Sequence, residues 1–139
     1  MEPTKSIAGA SVTVKSATCV LFAYHEMGHA CMSALLKMGA PIAALFTHRD
    51  DPHEEIWWNS CAELAERSRV PVHTPERIDT NTVAKVAALK PSIIYSFYYR
   101  YLIPESVLGL APLGAYNMHG SLLPKYRGRA PVNWMIVNG

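Results

Sequence analysis

The sequence lacks the features of a membrane, secreted or nucleic-acid-binding protein. Its apolar runs are far shorter than a membrane span, and residues 1–16 have no apolar core like that of a signal peptide. Three isolated cysteines, Cys19, Cys31 and Cys61, lie in apolar contexts without metal-type spacing, which predicts buried, reduced thiols in a cytoplasmic protein. A formal net charge of +2 gives no general attraction to nucleic acid, so neither a nucleic-acid partner nor membrane insertion is expected.

The composition is that of one packed domain. Of the 139 residues, 50% are hydrophobic and 17% are charged, a balance that favours a buried core over disorder. The chain has no internal repeat, low-complexity tract or linker. We expect residues 1–16 to be an extension or the remnant of a tag, and residues 17–139 to form the folded unit.

Short apolar runs alternate along the chain with segments of helical spacing. The predicted strands are Thr18–Tyr24, Ile42–Thr47, Val70–Val72, Ser92–Phe97 and Ala115–His119. The predicted helices are Met27–Met38, 51–68, Asn81–Leu89, Glu105–Leu110 and Pro131–Val137. This alternation predicts an α/β fold with a Rossmann-like parallel sheet flanked by helices. The first strand should be central, between the strands that start at Ile42 and Ser92.

A capping pattern predicts the start of the second helix. The segment Asp51–Glu54 combines a capping residue, a proline at the first helical position and an acid in the first turn. In such a helix Trp57 and Trp58 would face wholly or partly inward. We therefore interpret these two rings as helix packing and not as a platform for stacking bases.

Polar side chains gather where the predicted strands end. Tyr24-His25, Thr47-His48, the segment 97–100 and Asn117 to His119 all lie at carboxyl ends of strands. In open parallel sheets ligands bind beyond these ends. The sequence therefore predicts a binding site at this edge of the sheet.

The pair Asn117 and His119 carries the strongest chemical signal. Residues i and i+2 of a strand point to the same face, so an amide and a titratable ring would project side by side. An amide can donate to a developing oxyanion and an imidazole can take a proton, which suits the transfer of an acyl group. Cationic side chains follow on the next loop, at Lys125, Arg127 and Arg129. The alternative is a polar pair at a strand end with no chemistry.

A competing motif is His25-Glu26-Met27-Gly28-His29, which matches the H-E-x-x-H pattern of zinc proteases. That chemistry needs both imidazoles on one face of a formed helix and a third ligand. Here the motif follows directly on a strand, so we expect His25 to lie in a turn outside the helix that His29 enters. Gly28 weakens a helix at this place, and no metal site is predicted.

Four segments together resemble the formyltetrahydrofolate-dependent formyltransferases. The longest is Asn117–Pro131, and the shorter ones are Phe22–Gly28, Phe46–His48 and Ser96–Arg100. Within that family the chain is most similar to the formyltransferase domain of the polymyxin-resistance enzymes that modify UDP-amino-arabinose. The resemblance covers about residues 18 to 139, and it implies that residues 17–139 are the N-terminal part of the catalytic domain.

The resemblance implies roles for single residues. The asparagine at the position of Asn117 steadies the oxyanion of the formyl group, and the histidine at the position of His119 handles the proton. The backbone of the stretch with Tyr98, Tyr99 and Arg100 helps to hold the pterin end of the folate. Arg129 contacts the ligand in the cleft. The co-substrate would be 10-formyltetrahydrofolate, without a metal.

The implied acceptor is the sugar amine of a UDP-amino-sugar such as UDP-4-amino-4-deoxy-L-arabinose, a reaction of lipid A modification. Arg129, Tyr24-His25 and the segment 97–100 favour this branch of the family over methionyl-tRNA formyltransferases and glycinamide ribonucleotide formyltransferases. The family's third catalytic group, an aspartate, lies downstream of the position of Gly139. We therefore expect weak folate binding and slow transfer from this chain alone, and a non-catalytic folate- or nucleotide-binding module is the alternative. The oligomeric state stays open.

Overall fold

The computed structural model describes residues 17–125, 127–128 and 131–138. The predicted extension at residues 1–16 and the predicted ligand contact Arg129 lie outside this part of the chain. The described residues form five strands and five helices in strict alternation. This order confirms the α/β class predicted from the sequence.

The sheet is parallel throughout, with its strands in the order β3-β2-β1-β4-β5. The strands are β1 (Cys19–Ala23), β2 (Ile42–Phe46), β3 (Val72–His73), β4 (Ile93–Phe97) and β5 (Ala115–Met118). The helices are α1 (His25–Lys37), α2 (Cys61–Arg67), α3 (Thr80–Ala88), α4 (Glu105–Leu108) and α5 (Pro131–Asn138). As predicted, β1 is central and pairs with β2 and β4 on its two sides.

Strand β1 is the centre of the core, since all five of its residues are buried. Alternate side chains enter two hydrophobic clusters, one on each face of the sheet. Leu21 packs on one face with Met32 of α1 and Ala65 of α2. Phe22 packs on the other face with Val107 of α4. A strand buried on both faces has a continuous apolar sequence, which is why the alternating pattern of a half-exposed strand is missing here.

The predicted helix over residues 51–68 is wrong in its first half, because α2 begins only at Cys61. Asp51 instead forms a single turn, in which its Oδ1 accepts from the N–H of His53 at 2.9 Å. Ser60 caps α2 with its Oγ, which accepts from the N–H of Glu63 at 3.2 Å. The pattern S-x-x-E is a capping box in sequence, so two start signals competed and the later one begins the helix.

Several smaller differences concern the ends of elements. Strand β5 ends at Met118, so His119 is the first residue after it. Strand β3 is formed by Val72 and His73 and lies later than predicted. The three cysteines are free, but Cys31 is only partly buried. No helix of the described residues is long and apolar enough to cross a membrane.

The cap at Ser60 can be tested by substitution. We expect Ser60→Ala to lower the free energy of unfolding by about 1 kcal/mol, because the N–H of Glu63 loses its acceptor. Urea denaturation measures this value. Ser106→Ala, on an exposed position of α4, is the matched control and should change stability by less than about 0.5 kcal/mol. Equal effects of the two substitutions would contradict the cap.

Candidate active site at the carboxyl edge of the sheet

The ends of three neighbouring strands lie at one level of the sheet. Ala23 of β1 is the register partner of Phe97 of β4, and Phe97 is the partner of Met118 of β5. The residues that follow these strands therefore meet at one edge, as the sequence predicted. Aromatic and imidazole rings from the segments after β1, β2 and β4 contact one another at this edge.

His48 joins the segment after β2 to the segment after β4. Its Nε2 accepts a hydrogen bond from the backbone N–H of Arg100 at 2.9 Å. Burial, together with the nearby positive charge of Arg100, lowers the pKa of His48 from 6.5 to about 4. His48 is therefore neutral near pH 7, with its proton on Nδ1 and its Nε2 lone pair occupied.

Tyr99 packs beside His48 within the same edge. The two rings stack with centroids 4.2 Å apart, and the rings of Tyr99 and Phe22 form a T-shaped pair with centroids 5.2 Å apart. Burial raises the pKa of Tyr99. Its hydroxyl oxygen is buried and has no hydrogen-bond partner among the residues that the structure describes.

Arg100 is held by side chains from two other segments. Its guanidinium forms an ion pair with Glu54 at 3.2 Å and lies 4.7 Å from the centroid of the Tyr24 ring. Glu54 does not lie in the first turn of a helix, contrary to the prediction, because no helix begins there. The Tyr24 hydroxyl donates to Asp50 Oδ1 at 2.8 Å, and burial and this carboxylate raise the pKa of Tyr24. The Arg100 side chain therefore connects the segment after β4 with the segments after β1 and β2.

A second aromatic cluster surrounds His25. Its ring lies 4.1 Å from Trp58, 5.0 Å from Trp57 and 5.2 Å from Tyr98, measured between centroids. Both tryptophans lie in the loop before α2, and Trp57 is 71% exposed, so their interpretation as helix packing is wrong. His25 and Tyr98 both have left-handed backbone, with φ of 64° and 62°. Non-glycine residues in this region are strained, and such strain is concentrated at functional sites.

The geometry gives no support to a zinc site. Helix α1 includes His25, contrary to the prediction, but the positive φ of this residue is not helical. The carboxylate of Glu26 is bonded to Asn59, which donates its backbone N–H at 2.8 Å and its side-chain amide at 3.1 Å. Within the described ranges no three side chains of His, Cys, Asp or Glu are grouped so that they could hold a metal ion.

Asn117 lines a cavity of about 280 Å³ next to the segment that follows β4. It is the register partner of Ser96, so both side chains lie on the same face of the sheet. Tyr99, Tyr101 and Leu102 contribute much of the cavity's aromatic and aliphatic wall. A wider groove of about 700 Å³ between β3 and α3 is lined by none of the predicted site residues.

His119 lies beyond the end of β5 and does not line that cavity. Its Nδ1 is 2.8 Å from Ser121 Oγ, and its Nε2 is 3.2 Å from the carbonyl oxygen of Gly128. The Oγ of Ser121 also donates to the carbonyl oxygen of Lys125 at 3.1 Å. The loop after β5 therefore holds the ring through both nitrogens.

The family model described as formyl transferase matches residues 21–139. The chain belongs to the formyl transferase family.

Several solved structures have the same fold as this chain. With the phosphoribosylglycinamide formyltransferase of Streptococcus pneumoniae TIGR4 the TM-score is 0.67 at 14% identity, over 88% of this chain and 67% of that chain. Glycinamide ribonucleotide transformylase 1 of Geobacillus kaustophilus gives 0.67 at 20% identity, over 88% and 68%. A formyltetrahydrofolate deformylase of Pseudomonas syringae pv. tomato str. DC3000 gives 0.69 at 18% identity, over 88% and 42%. The chain thus spans about two thirds of the first two relatives and less than half of the third.

Several contacts at the carboxyl edge of the sheet were not predicted from the sequence of this formyl transferase family member. The bond from the Arg100 N–H to His48 joins residues that are 52 positions apart. The placement of Trp57 beside His25 depended on the loop that was predicted as helix. The S-x-x-E pattern at Ser60 was the available signal, since a helix that starts there leaves the tryptophans in a loop.

The lowered pKa of His48 predicts a pH dependence of stability. Its pKa in the folded state, about 4, is below the usual 6.5, so the unfolded chain binds more protons between these values. Stability that is present above pH 6.5 should therefore be lost as the pH falls toward 4, by on the order of 2 kcal/mol after allowance for partial exposure. Urea unfolding at a series of pH values measures this loss.

The variant His48→Gln isolates this contribution, because glutamine offers an acceptor but does not titrate. It should be less stable at neutral pH and should have a smaller loss on acidification. A part of the loss should remain, since burial also lowers the pKa of His25 and His73. An unchanged pH dependence in His48→Gln would refute the assignment.

The Tyr99 hydroxyl, which has no hydrogen-bond partner in the described part of the chain, gives a separate prediction. Tyr99→Phe removes a buried polar atom and keeps the ring that stacks on His48. We expect the free energy of unfolding to stay constant or to rise by about 1 kcal/mol, because no hydrogen bond is lost. Chemical denaturation of both proteins tests this. A loss of more than about 1 kcal/mol would mean that the hydroxyl has a partner in solution.

Proposed function

We propose that this protein transfers the formyl group of 10-formyltetrahydrofolate to the sugar amine of a UDP-amino-sugar, such as UDP-4-amino-4-deoxy-L-arabinose. The observation that carries the proposal is the position of Asn117, at the end of β5 and in the wall of a cavity of about 280 Å³. Membership of the formyl transferase family supports the chemistry. The relatives with solved structures, at 14 to 20% identity, support the fold and leave the acceptor to this proposal.

The cavity beside Asn117 would receive the pterin end of the folate. Its wall combines the rings of Tyr99 and Tyr101 with the side chains of Leu102 and Ile103, which suits a flat heterocycle. We assign Tyr98, Tyr99 and Arg100 to this folate site through their backbone. The N–H of Arg100 is bonded to His48, which removes this donor from those available to the pterin.

In the proposed reaction the amine attacks as the free base. Its nitrogen forms a bond to the formyl carbon, and the formyl oxygen becomes an oxyanion toward which the Asn117 amide donates. The amine nitrogen, now positively charged, gives a proton to His119. The oxyanion then re-forms its double bond, the bond from the carbon to folate N10 breaks, and N10 takes a proton from the histidine.

Charge near His119 suits an anionic acceptor. Lys125 and Arg127 are exposed on the loop that follows the histidine, and guanidinium and ammonium groups bind phosphate oxygens well. We assign Arg129 to the ligand on the strength of the family resemblance. We assign these cations to the diphosphate of the acceptor.

Two further assignments belong to the same proposal. Residues 17–139 would be the N-terminal part of a formyltransferase catalytic domain that works in the cytoplasm, where folate co-substrates and nucleotide sugars meet. The alternatives are a methionyl-tRNA formyltransferase and a non-catalytic module that binds folate or nucleotide. Each gives a different result in the assay below.

A direct test incubates excess protein with 10-formyltetrahydrofolate and one acceptor at a time. The acceptors are UDP-4-amino-4-deoxy-L-arabinose, glycinamide ribonucleotide and methionyl-tRNA, and mass spectrometry detects the formyl group under single-turnover conditions. We expect formylation of the UDP-amino-sugar alone. Asn117→Ala should slow it by about a hundred- to a thousand-fold, since one oxyanion donor is lost.

Asn81→Ala is the matched control, because this asparagine lies at the start of α3, away from Asn117 and its cavity. It should leave the transfer rate unchanged. Formylation of methionyl-tRNA or glycinamide ribonucleotide instead would overturn the assigned acceptor. Folate binding without transfer to any amine would favour the non-catalytic module.

A further inference from the structure

The ring of His48 lies behind the wall of the cavity at Asn117. It stacks on Tyr99 with centroids 4.2 Å apart, and it forms a T-shaped pair with Tyr101 with centroids 4.5 Å apart. Both tyrosines line this cavity, whereas His48 does not. His48 therefore contacts the residues of the wall without being part of the wall itself.

The backbone of residues 99–103 makes one hydrogen bond to the residues that the structure describes. It runs from the N–H of Arg100 to Nε2 of His48, over 2.9 Å. Tyr98, directly before this segment, has left-handed backbone with φ of 62°, a conformation that persists only where the surrounding structure determines it. The bond to His48 is therefore the polar contact that fixes the course of this backbone beside the cavity.

An imidazole suits this place because it offers two different contacts at once. The lone pair of Nε2 lies in the plane of the ring and accepts from Arg100, while the face of the ring stacks on Tyr99. A phenylalanine would keep the aromatic face and lose the acceptor. A glutamine would keep an acceptor and lose the face. The two substitutions thus separate the hydrogen bond from the ring contact.

We propose that His48 is a positioning residue for the folate, which it does not touch itself. The inference rests on the proposed function, in which the backbone of Tyr98, Tyr99 and Arg100 helps to hold the pterin. By holding the Arg100 N–H, His48 fixes the neighbouring backbone groups before the folate binds. The backbone N–H groups of Tyr99 and Tyr101 donate to none of the described residues, so they are available to a ligand.

Loss of this hydrogen bond should weaken folate binding, because the segment would then have to be ordered when the folate binds. The apparent dissociation constant rises as the fraction of protein with a binding-competent segment falls. The contribution of one such bond corresponds to a factor of about ten in affinity. His48→Phe should therefore raise the Kd for folate about ten-fold, whereas His48→Gln should stay within about three-fold of the unchanged chain.

Nuclear magnetic resonance titration of the 139-residue chain measures both the Kd and the proposed bond. The probe is 5-formyltetrahydrofolate, which has the pterin but no formyl group on N10, so no transfer from N10 interferes. The exchange rate of the Arg100 amide hydrogen reports its bond to His48. His73→Gln is the matched control, because this histidine lines the groove between β3 and α3 and not the cavity at Asn117.

We expect slow exchange of the Arg100 amide in the unchanged chain, in His48→Gln and in His73→Gln, and fast exchange in His48→Phe. The Kd for the probe should follow the same order. Equal Kd values for the unchanged chain and His48→Phe would overturn the inference and leave the proposed function standing. An Arg100 amide that exchanges as fast as the Tyr101 amide in the unchanged chain would also overturn it, whether or not the variants fold. If the unchanged chain does not bind the probe at all, the proposed function fails and the inference fails with it.

Discussion

The parallel pairing of the buried strand β1 is the constraint on which the rest of the structure depends. All five of its residues are buried, so it can only be the middle strand of a sheet covered on both faces. Its partners β2 and β4 run in the same direction and end near its own end. As a result, the polar and aromatic residues that follow these strands lie together at one edge of the sheet, although β1 itself is wholly apolar.

The loops at that edge are held by polar contacts between segments that are distant in sequence. His48 accepts from the backbone of Arg100, the Arg100 guanidinium pairs with Glu54, and Glu26 receives three bonds from Asn59. The ion pair is partly exposed and contributes little alone. Together the contacts fix the loops after β2 and β4, and with them one wall of the cavity at Asn117.

The fold could be predicted further than the site. Continuous apolar runs such as the one in β1 and their alternation with helical segments determine a parallel sheet, because each is a local pattern read over a few residues. The predicted start of α2 was wrong because the sequence has two capping signals, at Asp51 and at Ser60. Local patterns do not determine which of the two begins the helix. The ring contacts of His25 with Trp57 and Trp58 were missed for the same reason, because the prediction placed both tryptophans in a helix.

Other features of the site have no local signal at all. The sequence marks Asn117 and His119 as a pair through their spacing, yet Asn117 opens onto a cavity and His119 turns to the loop after β5. The Tyr99 hydroxyl is buried by side chains of several elements, and none of the described residues bonds to it. Such features are set by tertiary packing, and propensities and spacings carry no information on them.

Three histidines at or near the same edge differ in what they can do with a proton. His48 is neutral near pH 7, but its Nε2 lone pair is used by the Arg100 N–H and its pKa near 4 makes it a weak base. The ring of His25 lies among Trp57, Trp58 and Tyr98. Burial lowers its pKa most, and the positive charge of Arg100 lowers it further.

His119 differs from both because its two ring nitrogens contact the loop that follows β5. Gly128 holds one nitrogen as a donor, and the hydroxyl of Ser121 can meet the other nitrogen in either role. The role of His119 in proton transfer therefore belongs to the proposed function, in which His119 follows Asn117 by two residues, directly after the end of β5.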